Sequence, residues 1–223
     1  MFKHFKRTGL FAVIISILIT MSGCSDTASM VCDALSEKYG DFFVAVKKGD
    51  RIDTNHTKLY IHPEGQEDLL FTATINKKNG IVEDDYVSQL VNYEVERIVK
   101  KQFKKISMDT YAQSMVVMRN PLDVTFEEYT PKSFQEKYKF EHYTIYLAVE
   151  QENFSLEKAQ QALKNANKEI GVNLVVVGFV FDSAKFDKCV EEMKGNPEMS
   201  VTLIEKYMPV KSFDVIVENE DVR

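Results

Sequence analysis

The chain has 223 residues, with 34 acidic against 28 basic side chains and a formal charge of −6. That balance argues against a nucleic-acid binder, whose affinity comes from a basic surface that neutralises phosphates. A hydrophobic share of 44% suits one buried core or two small ones.

Lys3, Lys6 and Arg7 form a positive head, Gly9 to Met21 is an uncharged apolar run, and Ser22, Gly23 and Cys24 follow. This is the layout of a secretory signal. A spanning helix needs ~20 apolar residues, whereas 13 residues separate Thr8 from Ser22 and include Ser16 and Thr20. The end of the run, Met21-Ser22-Gly23-Cys24, resembles the lipobox of bacterial lipoproteins, with Met21 where leucine is usual. The resemblance implies that residues 1–23 are a signal peptide and that Cys24 becomes the first mature residue, carrying a diacylglyceryl thioether. It also implies a lipid-anchored protein on the extracytoplasmic face of the cell membrane. Two or three acyl chains, at ~0.8 kcal/mol per buried CH₂, hold such a protein without a helix. Ordinary secretion, leaving Cys24 as a free thiol, and an uncleaved anchor are the alternatives.

Loss of residues 1–23 removes three cations and moves the charge to −9. Such acidity favours solubility and keeps a body off anionic headgroups. Cys32 and Cys189 remain, 157 positions apart. An oxidising compartment permits a bond between them, but two cysteines make no disulfide framework. The apolar helix face around Cys189 predicts a buried thiol.

Residues 24–29 predict a short tether, in which five extended residues reach at most ~17 Å. Met30 to Tyr39 predicts a helix stopped by Gly40. Three strands follow, Asp41 to Lys47, Lys58 to His62 and Leu69 to Ile75, with turn residues at Gly49-Asp50, Pro63-Glu64-Gly65 and Asn79-Gly80. In the third, Leu69, Phe71, Ala73 and Ile75 are expected inward and Thr72 and Thr74 outward. An antiparallel meander is the simplest arrangement. Asp84-Asp85 opens the longest helix, to Lys105, with acids at its start and Lys100, Lys101, Lys104 and Lys105 at its end to complement the dipole. Val87, Leu90, Val91, Val95, Ile98, Val99 and Phe103 form its buried stripe. The basic end is either a contact for an anionic membrane or acidic partner, or a solvated helix end. The order of elements and the Asn79-Gly80 turn resemble PepSY-type modules of bacterial envelope proteins, which implies strands packed on helices and no residue roles.

Beyond Ile106 the predicted elements change. Gln113 to Met118 reads as a strand, Thr130-Pro131 starts a short helix to Tyr138, and His142 to Glu150 is a strand. Ser155 caps a helix with a Leu156, Ala159, Leu163, Ala166 and Ile170 stripe, ended by Gly171. Val172 to Phe181 is apolar almost throughout, as a central strand would be. Strand, helix and strand predict a parallel βαβ unit. Asp182 or Ser183 caps a further helix, and Met199 to Tyr207 with Val210 to Glu218 predict a terminal hairpin. The expected fold is mixed α+β and α/β. A helix, three-strand meander and long helix over 30–106 precede a βαβ-containing unit over 107–223, as two domains or one two-lobed body. The least structured boundary is Ser107 to Gln113.

Chemistry is sparse. His56, His62 and Glu64 permit a metal site on paper, but six strand residues span ~20 Å, so exposed histidines are the simpler expectation. His142 beside Glu141 is a candidate general base with no marked nucleophile. Asp50 to Asn55 has oxygen ligands but lacks the rest of a calcium loop, and reads as a turn. No nucleophile elbow, zinc helix or phosphate loop occurs. Tyr129, Tyr138, Tyr143 and Tyr146 form either an interface cluster or half-buried core. The leading reading is a non-catalytic lipoprotein of the cell envelope, attached through Cys24 and acting by protein–protein or ligand contact, with no metal, cofactor or nucleic acid. The alternatives are a metal-assisted or acid–base hydrolase using the histidines, and a small accessory ligand-binding lipoprotein.

Overall fold

The computed structural model describes residues 26–51, 53–116, 120–121, 128–196 and 201–218. The fold is mixed α+β. Its first part runs α1 (Asp26–Tyr39), β1 (Phe43–Arg51), β2 (His56–Pro63), β3 (Phe71–Asn76), β4 (Val82–Asp84) and α2 (Tyr86–Lys104). Then come β5 (Thr110–Ser114), β6 (Asn120–Pro121), α3 (Pro131–Tyr138), β7 (Tyr143–Glu150), α4 (Leu156–Ile170), β8 (Leu174–Phe181), α5 (Ser183–Lys194), α6 (Val201–Glu205) and β9 (Lys211–Val217). One sheet has the order β1-β2-β3-β4-β6 and the other β5-β7-β8-β9.

The first sheet is antiparallel throughout. In β2 burial alternates strictly, and Leu59 and Ile61 share a core with Val31 and Leu35 of α1. Period two on the strand thus meets the apolar stripe of the helix. Helix α1 begins at Asp26, so it takes in most of the predicted tether, and Ala28 is already buried. The meander gains a strand that sequence did not suggest, β4, which sets Ala73 opposite Asp84.

Thr72 and Thr74, expected outward, are 2% and 7% exposed. Thr72 is engaged by Asp85, whose two carboxylate oxygens accept from the Thr72 amide at 2.7 Å and its hydroxyl at 3.0 Å. Its neighbour Asp84 serves the opposite side. It accepts from Lys38 Nζ at 3.2 Å, from the Tyr39 hydroxyl at 2.7 Å and from the Tyr86 amide at 3.1 Å. Both side chains of the Lys38–Asp84 pair are buried. Burial, with the Asp84 charge second, drives the Tyr39 pKa upward. The expected dipole role is corrected: Asp84 belongs to β4, and Asp85 stands at the cap position without a capping side-chain bond. Rings of Tyr39, Phe43, Phe71 and Tyr86 form a cluster beside the pair, with centroids 4.7–6.1 Å apart.

Helix α2 carries parts of both cores. Leu90 leans on the first, whereas Val87, Val91, Val95, Ile98, Val99 and Phe103 enter the second with α3, α4 and the inner faces of β7, β8 and β9. Local signals worked as read from sequence. Thr130 and Ser133 form a reciprocal capping box, Ser155 accepts from the Lys158 amide, Asp182 accepts from the Lys185 amide, and Gly171 ends α4 at φ 79°.

The β7–α4–β8 unit is parallel, and β8 lies between β7 and β9. Gly178 is required there, because an added Cβ would stand 2.2 Å from the ring of Phe213, its cross-strand partner. The terminal antiparallel pairing exists, but β9 pairs with β8. The 199–207 segment, expected as a strand, is helical over Val201–Glu205. Ile204 there is buried with Phe181, Cys189 and Met193, so one helical turn covers the outer face of β8.

Removing one partner of a buried ion pair costs about 3–5 kcal/mol. Lys38→Met should therefore destabilise the protein by about that amount in urea unfolding, although Tyr39 and the Tyr86 amide remain. A loss below ~1 kcal/mol would show that the pair does not hold α1 on the sheet.

Candidate functional site

The histidines do not converge. His56 Nδ1 pairs with Asp53 Oδ2 at 2.7 Å, and His62 Nδ1 donates to the Pro63 carbonyl at 2.7 Å. His142 precedes β7 and is half-buried, while Tyr143 beside it is fully buried. Among the described residues no three His, Cys, Asp or Glu side chains gather to hold a metal ion. Of Asp50 to Asn55, read as a turn, Asp50 and Arg51 belong to β1, and the chain bends over 53–55. Asp53 Oδ1 accepts from the amides of Asn55 and His56, and the Asn55 bond heads the causes that lower the Asp53 pKa to about 2.

Cys24 lies outside the described residues. Cys32 is half-buried, Cys189 is buried and free, and burial pushes the Cys189 thiol up to about 11. The tyrosines divide. Tyr129, Tyr138 and Tyr143 pack around Phe134 and Phe140, while Tyr146 lies on the far face of the second sheet. The basic end of α2 is occupied in part by α4, since Lys101 Nζ and Gln102 Nε2 both donate to Glu169, at 2.7 and 2.8 Å.

What sequence reading missed is a polar seam between α2 and β5. Strand β5 is the edge of the second sheet, and its outer backbone groups need partners. Side chains of α2 supply them in place of a strand. Asn92 Nδ2 donates to the Val116 carbonyl at 2.7 Å, while Asn92 Oδ1 accepts from the Ser114 hydroxyl at 2.9 Å and the Val116 amide at 3.3 Å. Glu96 Oε1 accepts from the Ser114 amide at 2.9 Å. Asn92 and Glu96 stand one turn apart, beside an otherwise apolar stripe, and that spacing was the available signal.

The seam borders a pocket of about 30 Å³, lined by Asp68, Gln89, Tyr93, Glu96, Tyr111 and Gln113 among others. Burial raises the Glu96 pKa to about 7, against Lys100 and the Ser114 amide, which lower it. Burial, then Glu96 and Asp68, raise that of Tyr111. Gln113 Nε2 donates to the Asn196 carbonyl at 2.8 Å, which fixes the amide and leaves its buried Oε1 without a partner among the described residues. The pocket has room for about one water molecule. A carboxyl that exchanges protons near neutrality is present, but an organic substrate has no space beside it.

A wider cleft, about 620 Å³, opens between Tyr60 of β2 and Lys188, Glu191, Glu192 and Tyr207 beside α5 and α6. Glu192 accepts from the Tyr207 hydroxyl at 2.8 Å and pairs with Lys206 at 2.9 Å. Its volume is ligand-sized, but its lining is charged where small-molecule sites are mostly apolar.

No protein-family model matches the sequence, and no curated protein matches it. Among solved structures, a DUF5037 family protein from Ruminococcus gnavus is similar, with a TM-score of 0.69 over 87% of this chain and 92% of that one. Identity is 12%, so the similarity concerns the fold alone.

Two expectations follow. Glu96 binds its proton more tightly folded (about 7) than unfolded (4.5), so stability falls as pH rises through that window. Asp85, raised to about 6 by burial, acts in the same sense at lower pH. Urea unfolding should show the protein more stable at pH 5 than at pH 8, Glu96 contributing at most ~3 kcal/mol of the difference. Glu96→Gln should remove that share, and an unchanged difference would refute the assignment. Separately, the double change His56→Gln, His62→Gln should leave the melting temperature with zinc equal to that with chelator, as in the parent. A zinc gain seen only in the parent would restore the metal-site reading.

Proposed function

We propose that this protein is an extracytoplasmic lipoprotein, held on the cell membrane through acylated Cys24 and acting by contact with another envelope molecule rather than by catalysis. The observation that carries the reading is the leader, with its basic head, short apolar run and Ser22-Gly23-Cys24 ending. Helix α1 starts at Asp26, two residues on, and two residues of chain reach at most ~7 Å. An acylated Cys24 would thus hold the folded body against the bilayer surface. No helix among the described residues is long and apolar enough to cross a membrane.

Contact rather than chemistry is favoured by the one-water pocket beside Glu96 and by the separated histidines. Phe42, Val44 and Val46 leave apolar surface exposed around the start of β1. The 620 Å³ cleft favours a second reading, a small accessory ligand-binding lipoprotein.

In detergent phase separation the parent protein should enter the detergent phase, and Cys24→Ser should move to the aqueous phase at unchanged thermal stability. Equal partitioning of the two proteins would sink the lipoprotein proposal.

A further inference from the structure

Antiparallel connectivity sorts the charges of the first sheet by end. The β2–β3 connection, with exposed Glu64, Glu67 and Asp68, lies beside the α1–β1 connection, with Asp41, since the Glu64 amide donates to the Phe42 carbonyl at 2.8 Å. The β1–β2 connection and the β3–β4 turn lie at the opposite end, where the Lys77 amide donates to the Asn55 carbonyl at 2.7 Å. Lys77 and Lys78 are exposed there. Lys47, Lys48 and Arg51 occupy the later half of β1, and Lys58 the start of β2. Asp50, Asp53 and Glu83 are the acids of these strands and turns, Asp26 opens the helix that starts at this end, and Asp53 is engaged by His56 and two amides. A body of charge −9 therefore keeps a net positive end.

Helix α1 finishes at the acidic end, where the Tyr39 ring lies 6.1 Å from Phe43 and 4.7 Å from Tyr86. Its 14 residues extend about 21 Å back from there. The helix packs on β1, and its Ala28 and Val31 share a core with Ile75 and Val82 of the basic end. The first turn of α1 thus lies toward the basic end.

We propose that the basic end of the first sheet, centred on Lys77 and Lys78, is a docking face for anionic lipid headgroups. The proposal rests on the lipoprotein reading and adds an orientation to it. Acyl chains retain the protein, and the cations turn the body so that its basic end meets the bilayer and the acidic β2–β3 connection points away. Basic residues within a Debye length of a negative leaflet are attracted to it, and like charge repels the acidic end. The overall acidity, which by itself would hold the body off such a surface, is thus distributed to hold off only one end.

The test uses lipidated protein purified from membranes and reconstituted on vesicles of phosphatidylcholine, alone or with about 30% phosphatidylglycerol. Lysines are acylated by a water-soluble reagent and read residue by residue by mass spectrometry. On anionic vesicles Lys77 and Lys78 should react at least about threefold more slowly than on neutral ones, and ~0.5 M salt should abolish the difference. Lys164 and Lys168, exposed on α4, should react alike on both. Equal rates at Lys77 and Lys78, slowing that survives salt, or equal slowing on α4 would overturn the proposal. Slowing in native membranes but not on vesicles would assign the face to an acidic protein and overturn it too. Failure to remain on either vesicle would instead count against the lipoprotein reading itself, and the orientation would fall with it.

Discussion

Two adjacent carboxylates, Asp84 and Asp85, face opposite ways at the entrance to α2, and much of the architecture depends on their being satisfied. An isolated buried carboxylate is expensive, and two neighbours are worse because like charges raise each other's cost. Here Lys38, Tyr39 and an amide serve one, and Thr72 serves the other twice. The solution ties α1, β3, β4 and the first turn of α2 into one knot, beside a cluster of four aromatic rings. Because α2 then delivers its apolar stripe to the other core, the knot also sets how the two sheets are joined.

The same helix closes the second sheet. An open edge strand invites pairing with another chain, and at the end of β5 the Ser114 amide goes to Glu96 and the backbone of Val116, just beyond the strand, to Asn92. Glu96 bears the cost as a raised pKa. This polar seam specifies one register of helix against strand, which an apolar stripe alone leaves free to slide.

Legibility in the sequence followed the range of the interaction. The α4 stripe, the Thr130, Ser155 and Asp182 caps and the βαβ order rest on residues three or four apart, and these were read correctly. Strand β4 was missed because Val82–Asp84 is short, and its two acids imitate the first turn of a helix. The 199–207 segment reads as one arm of a hairpin around Met208-Pro209, whereas Val201–Glu205 is helical and buries Ile204 beside α5. Beyond the one-turn spacing of Asn92 and Glu96, these two and Gln113 show nothing in one dimension, since their partners sit 18 to 83 positions away. The sorting of charge by sheet end is likewise invisible until the strands are paired, although Lys77-Lys78 and Glu67-Asp68 stand in plain view in the sequence.

In the proposed function, residues 1–23 are a cleaved leader and Cys24 an acylated first residue, two positions before a helix that starts toward the basic end of the first sheet. The central claim is covalent, so mass decides it. Intact-mass and N-terminal fragment spectra of the protein extracted from membranes of producing cells should give a chain that starts at Cys24 and carries a diacylglyceryl group on Sγ. A chain that keeps Met1 to Gly23, or one that starts at Cys24 with a free thiol, would contradict it.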